Sequence, residues 1–193
     1  MRRMIVLALF GVIGGVASLA IYSCKQKEKI DIKSYAAEFP KKKWYYSTDG
    51  GKTWTGGAEV DLKAFQENGE PIHVKPEWVW GEWKDENTIM WTASDSSTSI
   101  WKSFDIKLSE SELAKTKTYA ASFSSKKWYY SVDGGKNWTA GAKEGLKGFD
   151  QNGIPIHVSA AWISGRWEDE NTIFWIAING DESIWKAFDH PPL

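Results

Sequence analysis

The chain has 193 residues, a formal net charge of −1 and a single cysteine. A near-neutral balance without a basic stripe excludes nucleic acid as a partner, and one cysteine excludes an internal disulfide framework. Burial alone must hold the fold, and the thirteen tryptophans are the side chains that bury most surface per residue.

In chain order, Arg2 and Arg3 precede an uncharged run from Met4 to Ser23 that ends at Cys24. A basic start followed by an apolar stretch is an export signal. Ile21-Tyr22-Ser23-Cys24 resembles a bacterial lipobox, which implies lipidation of Cys24. Without cleavage, the same run is long enough to act as a membrane anchor. Residues 1–23 are therefore read as signal peptide or anchor helix. On either reading the remainder is expected outside the cytoplasm, held at a membrane in the bacterial periplasm or at the cell surface. Residues 24–34 are polar and Lys-rich and read as a tether.

Residues 35–105 align without a gap on 119–189, at a constant offset of 84, and residues 106–118 join them as a linker. A four-residue tail, 190–193, follows. Such a repeat is one structural unit duplicated. Each copy opens on the same aromatic stretch, Trp44 to Trp54 and Trp128 to Trp138, with Asp-Gly-Gly at its centre. Short aromatic runs around a turn of that composition predict a hairpin. Ser47, Asp49, Gly51 and Trp54, repeated as Ser131, Asp133, Gly135 and Trp138, resemble the Asp box of sialidases and related β-propeller proteins. In that family the box is a structural hairpin, so the resemblance implies a fold element and not sialidase activity.

Further along copy one, Asp61 to Gly69 carries Leu62 and Phe65 at helical spacing, with Asp61 as a candidate N-cap. Copy two has Gly145 and Gly148 here, so at most a weak helical turn is expected. Pro71 to Val74, Trp78 to Trp83, Thr88 to Ser94 and Ser99 to Phe104 read as strands separated by turn residues. Five or six short strands per copy predict an all-β fold of two tandem homologous small modules, sandwich-like or barrel-like. A compact β-propeller-like assembly is the alternative. Copy two has an extra apolar strand face at Ile173 to Ile178, which is where the copies are expected to pack.

Strand alternation puts Trp78, Trp80 and Glu82 on one face, with Val79 and Trp83 on the other, unless Gly81 introduces a bulge. Copy two has Trp162, Ser164 and Arg166 at the first three positions. Changes from Trp to Ser and Glu to Arg mark that face as the exposed one. Two indoles at i and i+2 lie about 6.6 Å apart, a spacing that suits consecutive sugar rings. Tyr45 and Tyr129 extend the platform. The candidate binding residues are thus Trp78, Trp80, Glu82, Tyr45, Trp162, Arg166 and Tyr129. His73 and His157 stand alone without metal-ligand spacing, and no nucleophile elbow or phosphate loop is present. The chain reads as a binding protein without cofactor or metal, not an enzyme. Its expected partner is a glycan or, alternatively, an envelope protein bound by a scaffold, inhibitor or immunity-type factor.

Overall fold

The computed structural model describes residues 31–188. The leader, Cys24, most of the tether and the tail lie outside the described residues. Among those described, no helix is long and apolar enough to cross a membrane.

The fold is all-β and built from two similar tandem modules. In copy one the strands are β1 (Trp44–Ser47), β2 (Thr55–Gly56), β3 (Leu62–Phe65), β4 (Pro71–His73), β5 (Trp78–Asp85), β6 (Thr88–Ala93) and β7 (Thr98–Ser103). Copy two repeats them as β8 (Trp128–Ser131), β9 (Thr139–Ala140), β10 (Leu146–Phe149), β11 (Pro155–His157), β12 (Trp162–Asp169), β13 (Thr172–Ala177) and β14 (Glu182–Ala187). Each copy makes a five-stranded antiparallel sheet, in the order β2-β1-β7-β6-β5 or β12-β13-β14-β8-β9, plus a two-stranded ladder, β3-β4 or β10-β11. Neither a closed barrel nor four separate blades occurs among the described residues. That sets aside both the barrel form and the propeller alternative.

Each module has its own core. Trp44, Trp83, Trp91 and Trp101 are nearly sealed with Phe39 and Ile89 in copy one. Trp128, Trp175 and Trp185 do the same with Phe123 and Ile173 in copy two. An indole that buries 150–250 Å² gains roughly 4–6 kcal/mol before entropy is subtracted. Several per module exceed the 2–5 kcal/mol that a native disulfide typically supplies to a small domain.

Two β-bulges change the reading made from alternation. In β3 the pairs are Leu62 with His73 and Ala64 with Ile72, so Lys63 is an extra residue. The bulge turns both Leu62 and Phe65 toward the core. Their i, i+3 spacing, expected to be helical, belongs to a bulged strand, and the only helical turn nearby is a 3₁₀ turn over Ala58–Asp61. In β5, Trp78 pairs with Ala93 and Trp80 with Thr92, so Val79 is the extra residue. A bulge bends a strand and resets its alternation. Trp78, Gly81 and Trp83 therefore face the core side, opposite Ala93, Trp91 and Ile89, while Trp80 and Glu82 face away. The expected pair of Trp78 and Trp80 on one face does not exist.

A helix precedes each module: α1 (Ile32–Glu38) and α2 (Glu110–Ser122). The segment between the copies reads from sequence as a linker. Instead α2 starts from a full capping box, in which Ser109 and Glu112 satisfy each other's backbone N–H. Both helices lean on a glycine turn. A Cβ on Gly69 would stand 2.6 Å from the Ile32 carbonyl oxygen, and one on Gly153 would stand 2.7 Å from that of Thr116. Trp83 and Trp167 donate their indole N–H groups to the carbonyls of those same glycines, at 2.9 and 2.8 Å.

Candidate functional site: a cleft between the copies

The described residues, 31–188, form one compact unit, and the copies touch through loops. The Trp54 main-chain N–H donates to the Ile178 carbonyl at 2.7 Å. The Lys52 carbonyl lies against Gly180, where a Cβ would overlap it. Ser164 Oγ donates to the Phe104 carbonyl at 3.4 Å. The contact thus uses Ile178 and the turn after β13, together with Ser164 of β12.

Beside these contacts is a cleft of about 690 Å³ with walls from both copies. Tyr45, Phe104 and Trp162 supply aromatic surface, and Lys43, Asp105, Asn152 and His157 supply polar groups. The elements explain the placement. Tyr45 sits on the outward face of β1 opposite Lys102, its ring edge-on to Phe104 at 5.7 Å. Burial, with Asp105 and Glu59 adding to it, pushes the Tyr45 phenol up. The phenol stays protonated near neutrality and can both donate and accept. Trp162 sits beside His157 at 5.5 Å.

Two acids line the cleft, and both hold turns. Asp105 Oδ2 accepts from the Lys43 N–H and from Ser103 Oγ, each at 3.0 Å. Asp150 Oδ1 accepts from the N–H groups of Asn152 and Ile154, each at 2.8 Å.

The residues singled out from sequence therefore separate. Tyr45 and Trp162 come together at the cleft. Trp78 is half-buried beside His73, 5.7 Å between ring centres. Trp80 is 58% exposed next to Val79 at 64%. Glu82 pairs with Lys84 at 2.5 Å on the outer face of the copy-one sheet. Arg166 pairs with Glu168 at 2.6 Å and lies over the Phe174 ring at 4.5 Å. Tyr129 contacts Phe188 edge-on at 5.8 Å and borders a separate surface hollow. Phe104 and His157 were missed as site residues. Only the apposition of the copies brings them in, and no local pattern announces it.

The aromatic hairpins follow the expected geometry closely. Ser47 Oγ donates to Asp49 Oδ1 at 2.7 Å and accepts the Gly51 N–H at 2.8 Å. Asp49 Oδ1 also accepts from the N–H groups of Lys52 and Thr53, each at 3.0 Å, and Oδ2 accepts from Thr53 Oγ1 at 2.6 Å. These bonds hold the Asp49 carboxyl far below the usual carboxylate range, with the Thr53 hydroxyl the largest contributor. Asp133 is displaced the same way, chiefly through the Asn137 N–H.

The BNR/Asp-box repeat model matches the chain twice, over residues 45–55 and 129–140. Both matches fall on the two hairpins and leave the rest of each module unmatched. No curated protein and no solved structure matches the chain. BNR repeats occur in glycan-acting proteins such as sialidases. In this chain the boxes pin turns, and copy one's box also contributes Lys52 and Trp54 to the contact that sets the cleft. Among the described residues, no group of three or more His, Cys, Asp or Glu side chains is placed to hold a metal ion.

Proposed function

We propose that this is an exported, membrane-anchored lipoprotein that binds a saccharide in the cleft between its two modules. The observation that carries the reading is the convergence of Tyr45, Phe104 and Trp162 with hydrogen-bonding groups in a space of about 690 Å³. That lies within the range of about 300–1,000 Å³ usual for ligand sites. Aromatic rings take the C–H faces of a sugar, and amphipathic groups such as the Tyr45 phenol take its hydroxyls. Arg2, Arg3, the apolar run and Cys24 support export and lipid anchoring, and the BNR matches support a carbohydrate ligand. The chain binds and does not transform: Asp105 and Asp150, the carboxylates of the cleft, are engaged in fixed turns and not poised as an acid–base pair.

The test is titration of the protein with a panel of oligosaccharides while tryptophan fluorescence is followed. A saturable change that weakens at least tenfold in Tyr45→Ala, with the melting temperature kept, supports the proposal. No change across the panel refutes it.

One observation favours a second reading, that of a protein-interaction lipoprotein. Val79 and Trp80 form an exposed apolar pair on an edge strand, and exposed aromatics of this kind serve protein interfaces. Recovery of a stoichiometric envelope protein by the intact chain, lost in Trp80→Ala, would favour that reading.

A further inference from the structure

The copies differ at one aromatic pocket. In copy one, His73 is buried against Trp78, Trp91 and Trp101. Asp61 lies close enough to act on its imidazole, and Lys75 Nζ is 3.9 Å from Asp61 Oδ1. Copy two keeps the histidine and the indoles as His157, Trp162, Trp175 and Trp185. Both charged residues are gone, since Gly145 stands for Asp61 and Ser159 for Lys75. In their place is a pocket of about 170 Å³ walled by Tyr130, Trp162, Trp185, His157 and Gly145. A Cβ on Gly145 would stand 3.1 Å from His157 Nε2 and 2.8 Å from the Trp185 ring. Copy two has no side chain at this position; His157 Nε2 and the Trp185 ring stand close against Gly145, and all three line the pocket.

That nitrogen has a defined role. His157 Nδ1 accepts the Ser159 N–H at 3.0 Å, so in the neutral ring the proton is on Nε2. Burial lowers the affinity of His157 for a second proton, which keeps the ring neutral around pH 7. The pocket thus offers one N–H donor among aromatic walls. The charged pair that could have selected an ionic group has been removed. Such a site takes a neutral ring bearing an acceptor oxygen. His157 and Trp162 also border the inter-copy cleft, so the pocket opens beside it.

We propose that the copy-two pocket is a subsite for a single neutral pyranose residue, with a sugar oxygen accepting from His157 Nε2–H and the ring lying against Trp162 and Trp185, and that the Asp61–Lys75 pair closes the equivalent subsite in copy one. This rests on the saccharide reading above. The space is too small for a chain of sugars, which would continue into the larger cleft.

The test uses the full chain in detergent, with methyl β-glucopyranoside and N-acetylglucosamine as probes, read by the His157 imidazole resonances and by calorimetric stoichiometry. Wild type is expected to bind one monosaccharide with a shift of the His157 signals. The double variant Gly145→Asp/Ser159→Lys installs copy one's own pair. The Cβ it adds at Gly145 meets the Trp185 ring, so the melting temperature is measured beside binding, and the reverse variant carries the test if the fold is lost. It should weaken monosaccharide binding at least tenfold. The reverse variant Asp61→Gly/Lys75→Ser should raise the stoichiometry from one to two. Monosaccharide binding unchanged in the first variant, or a stoichiometry still at one in the second, overturns the subsite. If oligosaccharides bind and depend on Tyr45 but not on the Gly145→Asp/Ser159→Lys change, the subsite falls and the cleft stands. If no saccharide of either size binds, both fall.

Discussion

The main-chain N–H of Trp54 donates 2.7 Å to the carbonyl of Ile178, which ties the end of the first Asp box to the turn after β13. One turn further, Gly180 at φ +81° meets the Lys52 carbonyl. Gly180→Ser adds a Cβ into that carbonyl. The expected outcome is a loosened joint, with intact module cores and lost cleft-dependent ligand binding. The backbone conformation is not itself the obstacle, because Ser96 holds the equivalent place in copy one at φ 69°. Limited proteolysis of the loops around Lys52 and Gly180, compared with near-ultraviolet circular dichroism of the cores, checks it. Unaltered cleavage would contradict the assigned contact.

Asp49 and Asp133 each hold an exposed box together as carboxylates. Their folded pKa values lie below the unfolded ones. Their stabilisation is therefore complete above the unfolded value, near pH 3.9, and disappears as pH falls toward the folded values. Asp49→Asn keeps one acceptor oxygen but loses the one that takes the Thr53 hydroxyl. It should lower the melting temperature at pH 7, and the gap from wild type should narrow as pH falls below about 4. Melting curves of the two proteins from pH 3 to pH 7 are the measurement. A pH-independent gap would mean that the carboxylate charge plays no part.

The buried indoles fall into two groups. Trp44 donates its N–H to the Phe39 carbonyl at 2.9 Å, whereas the N–H groups of Trp91 and Trp175 are buried without a partner. The His73 ring meets Trp91 edge to face at 4.9 Å, a contact that compensates only in part. Replacing Trp44 by Phe removes a made bond, and replacing Trp91 by Phe removes an unmade one. Trp91→Phe should therefore be less destabilising than Trp44→Phe by about 1–3 kcal/mol. Urea unfolding of both variants decides it.

Trp78 and Trp80 provide the sharpest contrast on one strand. Trp80→Ala should leave stability within about 0.5 kcal/mol of wild type, as exposed substitutions do. Trp78→Ala takes a ring away from His73 and the core and should cost roughly 2–4 kcal/mol. Equal losses by thermal or chemical denaturation would restore the single-face arrangement that alternation alone suggests.

The two tandem modules, the all-β class and the Asp-box hairpins were legible because each leaves a direct pattern in the sequence. Asp-Gly-Gly between aromatic runs has few other solutions. The bulges were not legible. Val79 and Lys63 look like ordinary strand residues, yet each shifts the count by one, sending Trp78 inward and making Leu62 and Phe65 imitate a helix. Helix α2 was underestimated because its apolar content is low, although Ser109 and Glu112 carried a capping-box signature. The cleft could not be read at all. Tyr45 and Phe104 meet Trp162 only because Gly180 and Ser164 let the loops of copy one approach, and small residues at those two places are silent without the partner surface.

The same two places give the joint a polarity. Where copy two has Gly180 and Ser164, copy one has Ser96 and Trp80. In a tandem assembled in the opposite order, the Ser96 hydroxymethyl group would meet the Lys136 carbonyl and the Trp80 indole would meet the Phe188 carbonyl. The modules are thus not interchangeable beads, since the side of the joint that receives its neighbour is shaped by Gly180 and Ser164 of copy two.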